Sequence, residues 1–221
     1  SIPDYFIPNH PVVAKAMEVY DEELRKVLSK VDEKMNWKGK NAPKRVVQIA
    51  GLIHDIGHGP FSHLYDHYVK EETEYEHEYR GLDIFRNMVK KYNLDLLHTE
   101  VEIICNIIDP PLHLQDNWLY QIVNNKINHI DVDKIDYILR DSYHIGLFHN
   151  DFSRILTMIK VSYFNKSLVL AWHEKIQHDI YLLFSCRYRL HKQVYNHHTV
   201  KAYEYYIVQI LRQAKYQKTR E

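Results

Sequence analysis

Apolar side chains recur three and four positions apart along nearly the whole chain. Val46, Val47, Ile49, Ala50 and Ile53 fall on one face of a helix that Pro43 can start. Leu82, Phe85, Met88, Val89 and Tyr92 mark a second helix. Val101, Ile104, Cys105 and Ile108 mark a third, which Pro110-Pro111 must stop. Glycine and proline are absent from Glu174 to about Gln217, so one long helix is predicted there. Leu156–Val161 and Leu168–Trp172, flanking the turn candidate Asn165-Lys166, read as a short hairpin. The predicted fold class is all-α with one minor β-hairpin, without internal repeat or low-complexity tract.

Composition narrows the function classes. The chain has 221 residues, enough for one large domain to bury a sizeable core without disulfides. Its 29 Lys plus Arg balance its 29 Asp plus Glu, so no global field argues for nucleic acid or a membrane surface. Cys105 and Cys186 show neither C-x-x-C spacing nor a disulfide framework, which favours a reducing compartment. No apolar run reaches the length of a membrane span, and the first residues lack a signal-peptide pattern. An intracellular protein, cytoplasmic or nuclear, is expected. Sixteen histidines are unusual, and the surface is expected to carry many of them.

The chemistry concentrates in Ile49-Ala50-Gly51-Leu52-Ile53-His54-Asp55-Ile56-Gly57-His58-Gly59-Pro60-Phe61-Ser62-His63. An imidazole and a carboxylate stand side by side at the end of an apolar run, and two more histidines follow. Nitrogen from His54 and oxygen from Asp55 suit a borderline or hard divalent ion. Gly57 and Gly59 are expected to allow a tight break, with Pro60 opening the next helix. On that helix His63, Asp66 and His67 fall at i, i+3 and i+4, within reach of one another. Further on, Asp133, Tyr137, Arg140 and Asp141 share one helix face. Read from the residues alone, a solvated face with an Asp133–Arg140 pair explains this pattern as well as a ligand does.

The string resembles the core motif of the HD superfamily of metal-dependent phosphohydrolases, most of all the branch of SAM-and-HD-domain deoxynucleoside triphosphate triphosphohydrolases. Two further blocks resemble that branch: Trp118–Lys126 followed by Ile130–Tyr137 and Arg140-Asp141, and Arg187–His197. With interruptions the resemblance runs from about Tyr5 to about Leu211. It implies a single HD-type domain over residues 1–221, lacking the C-terminal lobe of longer relatives and several tens of residues between Met17 and Glu18. It also implies a divalent ion (Mn, Fe, Mg or Zn) held by His54, Asp55, Asp133 and an upstream histidine. His10 is the one histidine before His54, but its surroundings, Tyr5–Val13, resemble a different family element. Either the sequence omits a stretch that carries the upstream ligand or the protein has lost that ligand; the first is expected, because deleting a core helix should leave a cavity and exposed apolar surface.

The same resemblance assigns acid-base work to His58, Asp66 and His77, with His63 also near the scissile phosphate. His77 would be the general acid and Asp66 its orienting partner; His67 and His113 are better read as incidental. Lys134, Arg187 and His191 match phosphate and sugar contacts. Tyr137 and Asp141 match a pair at the deoxyribose 3′ edge, where an aromatic ring excludes a 2′-hydroxyl. Tyr195 and Asn196 stand near the base and sugar, the asparagine replacing the family's longer glutamine. A solvated cationic face is the alternative for the charges of Arg187–His198. The implied reaction is metal-hydroxide attack on the α-phosphorus of a deoxynucleoside triphosphate, giving deoxynucleoside and triphosphate. Homo-oligomers are implied as well. The competing readings are an HD phosphohydrolase acting on other nucleotides, a nucleotide-binding scaffold without turnover, and nucleic-acid binding, which the neutral charge does not favour.

Overall fold

The computed structural model describes residues 42–70, 76–147 and 151–218. Eight α-helices and one two-stranded antiparallel sheet are found among them. They divide into two compact units. One holds the described residues up to Ile53 together with Asp95–Ser185; the other holds His54–Leu94 together with those from Cys186 on. None of the described helices is long and apolar enough to cross a membrane.

In the first unit, α1 (Ala42–Ile53) precedes the helix at His98–Ile108 against which it packs. The predicted apolar faces meet there: Val46, Val47, Ala50 and Ile53 are buried, as are Val101, Ile104, Cys105 and Ile108. A charge is buried with them. The carboxylate of Glu100 accepts hydrogen bonds from Nη2 of Arg45 at 2.8 and 2.9 Å, and from the Leu97 amide at 2.8 Å. The last bond satisfies a donor at the helix N-terminus, where a negative charge is favoured.

After the two prolines the chain makes short 3₁₀ turns at Leu112–Leu114 and Trp118–Gln121. Gln121 is buried and ties two segments together: its Nε2 donates to Gln115 O at 2.8 Å and its Oε1 accepts from the Leu170 amide at 2.9 Å. The following loop ends at Asp131, whose Oδ1 caps the next helix, Val132–Ile145, by accepting from the Lys134 amide at 2.9 Å. Gly146 closes that helix at φ +64°.

The hairpin exists with shifted bounds: β1 is Ile159–Phe164 and β2 is Ser167–Trp172. Leu156 lies not in the strand but in a short helix, Ser153–Thr157, where it is buried. Asn165 and Lys166 both take positive φ, 47° and 69°, as a tight hairpin turn requires.

In the second unit the break after Ile53 differs from expectation. Its left-handed residues are Phe61 and Ser62, at φ 66° and 48°, not the glycines, and the next helix starts at His63 rather than Pro60. Gly57 is needed for a close approach instead: a Cβ there would overlap the carbonyl oxygen of His77 and the amide nitrogen of Gly81. The helix His63–Lys70 packs against the last helix, His198–Lys218. On the helix His77–Tyr92, Gly81 and Phe85 are buried, whereas Met88 and Tyr92 of the predicted stripe are exposed.

The expected single helix from Glu174 to Gln217 is broken. A 3₁₀ turn at Glu174–Ile176 leads into the helix Gln177–Leu190, then a π turn at His191–Tyr195, and the chain resumes as helix only at His198. The Asn196 amide bonds back to His191 O at 2.9 Å, the wide i→i+5 pattern that ends an α-helical ladder without glycine or proline. In chain order the α-helices after α1 are α2 (His63–Lys70), α3 (His77–Tyr92), α4 (His98–Ile108), α5 (Val132–Ile145), α6 (Ser153–Thr157), α7 (Gln177–Leu190) and α8 (His198–Lys218).

Candidate active site

His54 and Asp55 follow the last residue of α1, where the chain leaves the helix and the side chains are not confined to one helical face. Nε2 of His54 lies 3.3 Å from Oδ2 of Asp55, and Nε2 of His58 lies 3.6 Å from its Oδ1. Burial pushes the Asp55 carboxyl up. The hydrogen bond and charge of His54, with the charges of His58 and His77, outweigh this and hold it below its ordinary value. An ionised carboxylate beside an imidazole is a donor pair that fits a divalent ion, so these residues suit the metal that the motif implies.

A second group forms around Asp66, which is buried in the first turn of α2. His77 opens α3, and its Nδ1 donates to Oδ2 of Asp66 at 2.9 Å. His58 stacks on His77 with ring centroids 3.9 Å apart, and His63 meets both rings edge-on at 5.0 and 5.7 Å. Burial first and the charge of His77 second push His58 below its usual value. Its Nδ1 is buried without a hydrogen-bond partner. One donor atom from each of His58, His63, Asp66 and His77 lies within 4.8 Å of the others, close enough for one ion.

Two residues that the motif does not name complete this group. Arg80, one turn past His77, donates through Nη2 to Oδ1 of Asp66 and through Nε to the Gly57 carbonyl at 3.1 Å. Its guanidinium carbon is 5.4 Å from the centre of the Tyr65 ring. Burial raises Asp66, but Arg80 and then His77 more than offset this and keep the carboxyl below the ordinary range. Glu78 brings Oε2 to 3.3 Å from Nδ1 of His77. The i, i+3 spacing of His77 and Arg80 was a visible sign; the fold that delivers Asp66 to both was not.

The other predicted residues divide between the units. In the first unit Asp133, Lys134, Tyr137 and Asp141 are half-buried along α5, and Lys134 Nζ stands 3.8 Å from Oδ1 of Asp131. Arg140 forks onto Asp136, one turn away, at 3.1 and 2.8 Å. In the second unit Arg187 is exposed on α7, His191 and Tyr195 meet edge to face at 5.0 Å within the π turn, and Asn196 ends that turn. Burial and then the charge of Arg187 push His191 below its usual value. His10, the Met17-Glu18 junction and the side chain of His67 lie outside the described residues.

Chemically, a carboxylate on Nδ1 fixes the imidazole tautomer and leaves Nε2 as the site where a proton is held or delivered. His58, stacked on that ring, brings a second imidazole beside it.

Known proteins have similar sequences. An HD domain-containing protein of Acanthamoeba polyphaga mimivirus is 36% identical over 163 residues, covering 72% of this chain and 35% of the viral protein. The deoxynucleoside triphosphate triphosphohydrolase SAMHD1 homolog of Dictyostelium discoideum is 33% identical over 177 residues, covering 77% of this chain and 34% of its own length. Human SAMHD1, also described as a deoxynucleoside triphosphate triphosphohydrolase, is 32% identical over 181 residues, covering 68% and 28%. The chain thus spans about a third of the length of these relatives. The HD domain sequence model matches residues 13–141, more than half the chain and all of the string from Ile49 to His63. This chain belongs to the HD domain family.

Proposed function

We propose that this chain carries the catalytic domain of a metal-dependent phosphohydrolase that cleaves deoxynucleoside triphosphates into deoxynucleoside and triphosphate. The observation that carries the reading is the His77–Asp66 pair, stacked under His58 and adjoining the His54-Asp55 dipeptide. The deoxynucleoside triphosphate triphosphohydrolase activity of the similar SAMHD1 proteins supports the substrate class.

His54 and Asp55 would hold the ion, with Asp133 as a third ligand on the strength of the sequence block in which it stands. A divalent ion there supplies Lewis acidity and lowers the pKa of water. The chain's own residues do the rest. His77 holds a proton on Nε2 and delivers it to the departing 5′-oxygen, Asp66 stabilising the imidazolium until it does so. His58 and His63 donate hydrogen bonds to the α-phosphate oxygens. Lys134 and Arg187 neutralise the polyphosphate, Arg187 as a fork and Lys134 as a point charge, and His191 hydrogen-bonds to it. Tyr137 and Asp141 read the sugar edge, and Tyr195 with Asn196 lies toward the base.

Cys105 and Cys186 are buried thiols, which supports placing this activity in a reducing, intracellular setting. Assembly into homo-oligomers belongs to the same proposal, and light scattering with and without nucleotide tests it. For the reaction, the protein is incubated with Mn²⁺ or Fe²⁺ and each of the four deoxynucleoside triphosphates, and products are separated by ion exchange. Inorganic triphosphate is expected. Release of monophosphate alone, or no turnover on any of the four, overturns the assignment.

A further inference from the structure

The histidine cluster of the second unit is assembled like a cation site, and a cation already sits in it. His58, His63, Asp66 and His77 offer three nitrogens and one carboxylate within 4.8 Å, a donor set that suits a zinc-like ion. Arg80 competes for that set. Its Nη2 takes Oδ1 of Asp66 while His77 takes Oδ2, so both carboxylate oxygens are spoken for. The guanidinium is seated by further contacts: Nε on the Gly57 carbonyl at 3.1 Å and the Tyr65 ring at 5.4 Å. Gly59 in turn abuts that ring so closely that a Cβ would overlap it.

We propose that Arg80 is the resident cation of this cluster and the positioning residue of the acid pair. Its Nη2, with the guanidinium anchored through Nε on the Gly57 carbonyl, holds Oδ1 of Asp66 and leaves Oδ2 facing Nδ1 of His77. Its charge keeps a divalent ion off the three imidazoles, leaving them able to carry protons instead of metal. A guanidinium is suited to this because it does not deprotonate in a protein and its planar donors define one carboxylate orientation. The inference rests on the phosphohydrolase reading only where His77 is the acid; the exclusion of metal stands on geometry alone.

The test counts cobalt. Metal-free protein is titrated with Co²⁺ while binding is followed by calorimetry and by the visible absorption of tetrahedral cobalt. Arg80→Gln is expected to bind one equivalent more than the wild type, with intense tetrahedral bands, and Arg80→Gln/His63→Ala to return to the wild-type count. Arg80→Lys, which keeps the charge and loses the second arm on the Gly57 carbonyl, is expected to keep the wild-type count. In turnover, Arg80→Gln should lower kcat about tenfold with KM within about twofold, and Arg80→Lys should restore part of the loss. An unchanged cobalt count in the glutamine variant, or an extra equivalent in the lysine variant, overturns the proposal. A wild type without turnover sinks the phosphohydrolase reading and leaves the cobalt comparison intact.

Discussion

Nδ1 of His77 donates to Oδ2 of Asp66 at 2.9 Å, although the two side chains belong to different helices. Because an ionised carboxylate can only accept, the bond places the ring's Nδ1 proton and frees Nε2 for chemistry. His77→Gln is therefore expected to lower kcat by about a hundredfold or more, with KM changed little. Asp66→Asn should lose a similar factor, since an amide no longer supports an imidazolium. Steady-state kinetics on a deoxynucleoside triphosphate measures both; retention of full kcat by either variant removes that residue from the acid.

The same carboxylate should show in the pH dependence of stability. Burial raises Asp66, but Arg80 and His77 hold its folded-state pKa below the ordinary value. A depressed acid contributes stability that is present above its unfolded pKa, about 4, and is lost as pH falls through the folded value. Asp66→Asn is thus expected to be less stable than wild type by about 2 kcal/mol at pH 7, the difference closing below about pH 4. Urea melts at pH 7 and pH 3.5 check the sign.

Glu100 is fully buried, and Arg45 is its counter-ion across 55 residues of sequence. Removing the arginine strands a charge in the core between α1 and α4. Arg45→Ala is expected to cost about 3 kcal/mol, and the double variant Arg45→Ala/Glu100→Leu much less than the sum of its parts. Equilibrium denaturation of the four proteins of this cycle measures the coupling; strict additivity would contradict it.

The glycines of the motif separate into two kinds. Around Gly51, inside α1, a Cβ would meet nothing within 4 Å, whereas at Gly57 it would overlap backbone of α3. Gly51→Ala should stabilise by about 0.5–1 kcal/mol through helix propensity. Gly57→Ala should destabilise by about 2 kcal/mol and also disturb His77, whose carbonyl it would strike. Thermal melts together with kcat distinguish these outcomes, and a Gly57→Ala protein with wild-type melting and turnover argues against the close approach.

Metal content tests the proposed ligands without reference to turnover. Asp55→Ala and Asp133→Ala are each expected to lose most of the Mn²⁺ that the wild type retains after gel filtration, read by elemental mass spectrometry. Stoichiometric metal in the Asp133 variant would remove that residue from the ligand set.

Much of the fold was legible because burial on one face imposes a local period. The α1 and α4 faces lie in the core as their spacing required, and Asn165-Lys166 turned the hairpin as its polar pair suggested. Local reading failed where the outcome depended on more than the local period. The stripe ending at Met88 and Tyr92 formed its helix but stays exposed beyond Phe85, since a period says which side chains align and not whether anything packs on them. The break at His191–Tyr195 carries no glycine or proline to announce it. The left-handed pair Phe61-Ser62 stands next to glycines that would have taken that conformation more readily.

The sequence by itself determined the all-α class and the family and offered the residues proposed for metal and acid chemistry, because motif spacing and side-chain type are properties of the chain. Only the tertiary structure decided how those residues are tuned. It set Arg80 on one oxygen of Asp66 and His77 on the other, stacked His58 on His77, and placed Gly57 where no side chain fits. Such pairings arise from helices meeting in space, and the electrostatics of a site follow from ångström separations that no linear spacing specifies.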